Sequence, residues 1–322
     1  RMNARAKRTI ATYHDREAPA PSRNDEYLLY QALIATWPLQ PMDDAALADY
    51  RRRIGEYMRK ATREAKEHTS WINPNDDYDE AVQQFVAEIL RAGRRNFFLT
   101  HLEKFQRPLA ALGAVNALSQ TLLKLTSPGV PDIFQGDELW NFCLVDPDNR
   151  RPVDFDLRRH LLADLRRRIA GAEFNLAPLA DELLGAWRDG RIKLYVTHRL
   201  LQLRRQAPAL FRDGEYLPLT VHGDRADHVC AFLRRREQDE LLVIVPRLLV
   251  GLCGFPADAD PPWPVGESIW RDTWIDLPER PAAPWKNLFT DETPPLSPDH
   301  ALKLADALSR FPVAAFVRSP QT

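Results

Sequence analysis

The spacing of apolar residues changes once along this chain, near Pro208, and that change limits the possible folds more than any other feature. Upstream, apolar side chains return every three or four residues, as they do on one face of a helix. Downstream, short β-type runs alternate with turns rich in Gly, Pro and Asp. A length of 322 residues exceeds one average domain. The expectation is an α+β multidomain chain with helices first and antiparallel strands last.

Several helices can be placed from their start and stop signals. Ser22, Asp25 and Glu26 supply a cap and first-turn acids, and Tyr27, Tyr30, Leu33, Ile34 and Trp37 follow at helical spacing until Pro38. A second helix opens at Asp43-Asp44 and runs to about Glu67, with Leu47, Tyr50, Ile54, Met58 and Ala61 on one face. Residues 69–76 read as a loop, 78–90 as a third helix and 96–105 as a fourth. Pro108 starts a fresh apolar helix that Ser127-Pro128-Gly129 ends, and one more helix spans 192–205. The β-type runs are 215–221, 228–233, 241–245, 268–274 and 313–317. Arginine clusters at 51–53, 166–168 and 234–236 stand beside acids and read as solvated faces.

The stretch LTSPGVPDIFQGDELWNFCLVDPDNRRPVDF (125–155) carries the functional signal. Residues 130–134 form a short apolar run of barrel-strand length, and Gly136 permits a sharp turn after it. Past the C-terminal end of a barrel strand is where active sites are built. Gln135, Asp137 and Glu138 could bond sugar hydroxyls, and Trp140 offers a ring against which a sugar could stack. Asp146, Asp148, Arg150 and Arg151 make a turn dense in donors and acceptors. On the residues alone, a ligand role and a structural ion-pair turn both stand.

SPGVPDIFQGDELW is similar to the segment that closes the catalytic barrel of α-amylase-superfamily enzymes. Its continuation, LVDPDNRRPVDF, resembles the maltooligosyltrehalose synthases. Further segments resemble the same family in the same order: RNDEYLLYQALIATWP (23–38), YMRKATREAKEHTSWINPN (57–75), NALSQTLLKLTSPG (116–129), DGRIKLYV (189–196), LFRDGEYLPL (210–219), VIVPRL (243–248) and FPVAAF (311–316). The resemblance implies a C-terminal portion in three parts. Residues 1–107 would be a helical insertion, 108–206 the last helix–strand–helix of an incomplete (β/α)8 barrel, and 207–322 an antiparallel β-sandwich.

The implied reaction turns the reducing-end α-1,4 bond of a maltooligosaccharide into an α,α-1,1 bond, by retaining intramolecular transglycosylation without a cofactor. Such chemistry needs two carboxyl groups roughly 5–5.5 Å apart. The superfamily places them after the fourth and fifth barrel strands, and no segment here resembles either. Thr12-Tyr13-His14-Asp15-Arg16 faintly resembles the motif of the third carboxylate, but Arg-Glu-Ala-Pro follows His14-Asp15 where Thr-Lys-Arg is expected, so Asp15 is set aside as catalytic. The chain alone is therefore expected to be inactive, with an α-1,4-glucan as substrate and the N-terminal barrel portion as partner. The contrasting reading is a stand-alone glucan-binding or accessory protein.

Composition excludes other classes. The 44 basic and 45 acidic residues nearly cancel, which argues against nucleic-acid binding. No apolar run is long enough for a membrane span, and the basic residues 1–8 are followed by no apolar stretch of the kind a secretory signal needs. Cys143, Cys230 and Cys253 have no metal-ligand spacing and suit a reducing cytoplasm. No metal site is expected.

Overall fold

A computed structural model describes residues 7–11, 17–93, 96–257, 259–278 and 283–318. Asp15 lies outside them. The chain divides into two compact units, one of residues 1–109 and 142–152, the other of residues 110–141 and 153–322.

The first unit opens with an antiparallel hairpin, β1 (Arg8–Ala11) and β2 (Glu17–Ala20), which has no counterpart in the sequence reading. Three helices follow: α1 (Arg23–Thr36), α2 (Asp44–Ala65) and α3 (Asp76–Ile89). Each starts on a side-chain cap. Ser22, Asp43 and Asn75 accept from the amides of Asp25, Ala46 and Tyr78 respectively, satisfying donors that the first turn would otherwise leave unpaired. Trp37 is extended before Pro38, which disfavours the helical conformation in the residue preceding it. Tyr50, Ile54 and Met58 of α2 and Tyr78, Val82, Phe85 and Ile89 of α3 are buried in one apolar core with Leu29 and Leu33 of α1. The helices approach closely at Gly55, where an added Cβ would lie 2.5 Å from the Gln83 amide oxygen.

The helix α4 (Phe97–Thr126) contributes to both units and runs unbroken through Pro108. The sequence reading split it there, because proline removes one helical hydrogen bond and clashes with the preceding turn. The apolar face that continues at Leu112, Val115, Leu118 and Leu122, all buried, outweighs that local cost.

In the second unit, α5 (Phe155–Ala170), α6 (Ala177–Gly185), α7 (Arg191–Gln206) and α8 (Pro208–Asp213) precede the strands. Strands β3 (Glu215–Pro218), β5 (Val229–Arg236), β6 (Asp239–Pro246), β8 (Lys286–Asn287) and β10 (Ala314–Arg318) form one antiparallel sheet in the order β3-β5-β6-β10-β8. A second holds β4 (Val221–His222), β7 (Trp274–Asp276) and β9 (Ala301–Lys303) in the order β4-β7-β9. Both sheets line one core, through Ala231, Leu233, Leu242, Ile244 and Phe316 from the first and Ile275 and Leu302 from the second. The middle strand β6 is buried along nearly its whole length, so its run Leu241-Leu242-Val243-Ile244-Val245 is continuously apolar rather than alternating.

Three expectations are corrected. Residues 130–134 are not a strand: Val130 is 99% exposed and Phe134 45% exposed. A parallel barrel strand takes its hydrogen bonds from flanking strands, and no described strand pairs with this run. Within 268–274, residues 268–270 belong to a helical turn (Glu267–Trp270), because the Trp270 indole is buried and donates to the Pro264 carbonyl (2.8 Å). The arginine clusters are not uniformly solvated, since Arg53 and Arg234 are buried. Arg234 donates to the carbonyls of Thr126, Leu210, Phe211, Gly214 and Glu215 at 2.9–3.2 Å. Backbone carbonyls, including those ending α4 and α8, thus stand where a carboxylate would usually be.

Candidate functional site

The eight residues singled out from the sequence fall four to each unit. Gln135, Asp137, Glu138 and Trp140 lie in the second, while Asp146, Asp148, Arg150 and Arg151 lie in the first.

In the second unit the chain leaves α4 and turns at Gly136, whose φ of +95° suits a residue without Cβ. The Asp137 amide closes the turn onto the Phe134 carbonyl (3.0 Å). Glu138 Oε2 accepts from the Gly136 amide (3.1 Å) and from Arg158 Nε (2.9 Å), and Arg158 Nη2 returns to the Gly136 carbonyl (2.8 Å). This closed clasp fixes the loop while keeping both bonds on one carboxylate oxygen. Asp137 accepts from Asn141 Nδ2 (2.7 Å). Gln135 is exposed.

Trp140 is half-buried and donates its indole N–H to the Trp187 carbonyl (2.6 Å). Its ring meets Trp187 edge-on, 6.4 Å between centroids, and Trp187 meets Trp263 edge-on at 5.8 Å. Lys193 donates to the Leu139 carbonyl (3.3 Å) with its ammonium 6.0 Å from the Trp140 ring centroid. Burial lowers the Lys193 pKa, and the nearby Asp137 and Glu138 charges oppose that shift. Behind the loop, Gly190 has φ +81°, and a Cβ there would lie 3.1 Å from the Trp140 amide nitrogen.

In the first unit a 3-10 turn (Asp148–Arg150) follows the cis bond Asp146-Pro147. Asp148 is buried and takes a two-pronged bond from Arg53, Nε to Oδ1 at 2.8 Å and Nη2 to Oδ2 at 2.7 Å. The Leu144 amide (2.8 Å) and Arg151 Nε (3.2 Å) add to it. Burial alone would raise the Asp148 pKa, but Arg53, the Leu144 amide and Arg151 together hold it below the ordinary carboxylate value. Arg150 pairs with Asp146 at the surface.

Both loops are thus held by side chains that no local pattern announces. Arg53 is 95 residues from Asp148, and Arg158 and Lys193 read as ordinary helix-surface cations. Glu138 and Asp148 are committed as ion-pair acceptors, which suits fixing a loop or receiving a hydroxyl proton in a hydrogen bond. Asp148, held below the ordinary carboxylate value, does not suit a proton-shuttling acid, which works best with a pKa near the operating pH. Among the described residues, no group of three or more His, Cys, Asp or Glu could hold a metal ion, and no helix is long and apolar enough to cross a membrane.

No family model matches the chain. A Mycobacterium tuberculosis (strain H37Rv) protein, provisionally named a maltooligosyl trehalose synthase, is 35% identical over 277 residues, 85% of this chain and 31% of that protein. The solved maltooligosyltrehalose synthase of Arthrobacter ramosus superposes on 91% of this chain, and 32% of its own, with a TM-score of 0.65 and 30% identity. A hypothetical maltooligosyl trehalose synthase of Sulfolobus tokodaii superposes on 91% of this chain, and 32% of its own, with a TM-score of 0.60 and 28% identity. By sequence and by fold, the chain belongs to the maltooligosyltrehalose synthase family. It spans about a third of the length of the relatives it matches.

Proposed function

We propose that this chain is the C-terminal part of an enzyme that converts the reducing-end α-1,4 bond of a maltooligosaccharide into an α,α-1,1 bond, an isomerase of trehalose biosynthesis. The observation that carries the proposal is the 35% identity sustained over 85% of the chain. In this reading residues 1–107 are the helical insertion, 108–206 the last unit of the catalytic barrel, and 207–322 a β-sandwich.

The nucleophile and the acid/base come from the N-terminal barrel portion, so these 322 residues alone do not turn over. Their part is to shape the substrate end of the pocket. In the second unit the Glu138–Arg158–Gly136 clasp sets the loop on which Gln135, Asp137 and Trp140 stand, and Trp140 supplies a ring face to a sugar. In the first, Asp148 braces the turn that carries Asp146, Arg150 and Arg151. Glu138 and Asp148 accept bonds from sugar hydroxyls or loop amides, while protons move on the barrel's own carboxyl groups.

The test is to incubate the chain with maltopentaose and follow the loss of reducing ends, with and without the N-terminal portion of a relative. Loss only in the mixture supports the proposal, and loss with the chain alone contradicts it. In the active mixture, Trp140→Ala is expected to raise KM about tenfold, the scale of one aromatic contact, and an unchanged KM would remove Trp140 from the pocket.

A further inference from the structure

We infer that the first unit carries a second pyranose-binding site, sharing no lining residue with either loop, built on Trp71 and the cleft between α2 and α3. Glu56, Arg59 and Arg63 stand three and four residues apart on α2, which places them on one face. Asp76, Asp79, Glu80 and Gln83 do the same on α3. These seven residues line a cavity of about 300 Å³, enough for one or two sugar rings. Every lining side chain is polar. Two arginines stand against four carboxylates, so the cleft offers both donors and acceptors with an excess of acceptors, which suits a neutral ligand rich in hydroxyl donors and does not suit an anion.

Trp71 is the apolar half of the site. It stands 56% exposed in the connection from α2 to α3, beside Ile72, which is 94% exposed. The connection is tied down by its own bonds, from the Asn73 amide to Ser70 Oγ (2.9 Å) and from the Asn75 amide to Thr69 Oγ1 (3.0 Å). The Arg63 guanidinium covers the Trp71 ring, 5.0 Å from its centroid. Arg63 is itself fixed by Asp79, whose Oδ2 accepts from Nε (2.8 Å) and Nη2 (2.5 Å). One side chain therefore links the wall of the cleft to the orientation of the exposed indole. A rigid aromatic ring at the rim of a polar cleft suits a ligand with an apolar face and a ring of hydroxyls, which describes a pyranose.

An independent observation points the same way. Asp79 is only 7% exposed, and its second oxygen, Oδ1, is buried without a hydrogen-bond partner. A buried acceptor left unsatisfied is costly, and a donor hydroxyl entering the cleft satisfies it. The choice of α-1,4-linked glucose as the sugar rests on the proposed function. The site would hold a remote stretch of the same glucan that the enzyme rearranges.

The experiment is calorimetric titration of the full 322-residue chain with maltopentaose, comparing the unmodified protein with Trp71→Ala and Trp71→Phe. Trp71→Ala is expected to weaken binding at least about tenfold without changing Tm, because the ring is exposed. Trp71→Phe should recover most of that loss. Unchanged affinity in Trp71→Ala, or no binding by the unmodified chain, overturns the site. Neither result touches the proposed function, whose own test is loss of reducing ends with the N-terminal portion present.

Discussion

At the scale of single residues, the chain relies on cations taken out of water and fully engaged. Arg53 and Asp148 are buried together, so removing either leaves an uncompensated charge. Arg53→Met should destabilise the protein by about 3 kcal/mol or more, read as a fall in the urea midpoint. Acid should erase that difference. The folded-state pKa of Asp148 lies below its unfolded value. Its contribution is therefore complete above the ordinary carboxylate pKa of about 4 and lost as pH falls through the folded value. The stability gap between the native protein and Asp148→Asn should be full at neutral pH and shrink on acidification below about pH 4. A pH-independent gap would mean the pair contributes through shape alone. Gly190 makes a local claim of a different kind. Its positive φ and its approach to the Trp140 amide predict that Gly190→Ala costs about 1–3 kcal/mol, with a shift in Trp140 fluorescence, and an unshifted spectrum would mean that the loop does not lean on this residue.

At the scale of elements, Pro108 is the clearest case of tertiary packing overriding a local rule. Because α4 continues through it, Pro108→Ala should restore one hydrogen bond and raise stability by about 1 kcal/mol or more; a loss would mean that the helix is shaped around the ring. Helices α1 to α3 were legible because their caps, first-turn acids and apolar stripes agree. Strands β5 and β6 were legible from their apolar runs. Helix α5 was not, since its Arg-rich sequence buries only Leu165 among its residues and carries little apolar stripe. Residues 130–134 failed in the opposite direction. Their apolar run has strand character, but a strand is defined by neighbours, and none of the described strands pairs with it. In the candidate site the loop residues could be named from the sequence, while Arg53, Arg158, Lys193 and Gly190, which hold those loops, could not. Their roles come from contacts across 20 to 95 residues and leave no periodic trace.

At the scale of the whole molecule, the two units have separate apolar cores, and the chain matches about a third of the length of its relatives. The central claim is that these residues complete the pocket of an intramolecular transglycosylase without carrying its reacting carboxyl groups. The most direct test is a chimera in which this chain replaces the matching third of the Arthrobacter ramosus synthase, assayed with maltopentaose by proton NMR. The account predicts that the reducing-end anomeric signals disappear while an α,α-1,1 signal grows, and that the unfused chain leaves maltopentaose unchanged. A chimera that folds yet only hydrolyses the sugar, or an unfused chain that makes the α,α-1,1 product, would contradict it.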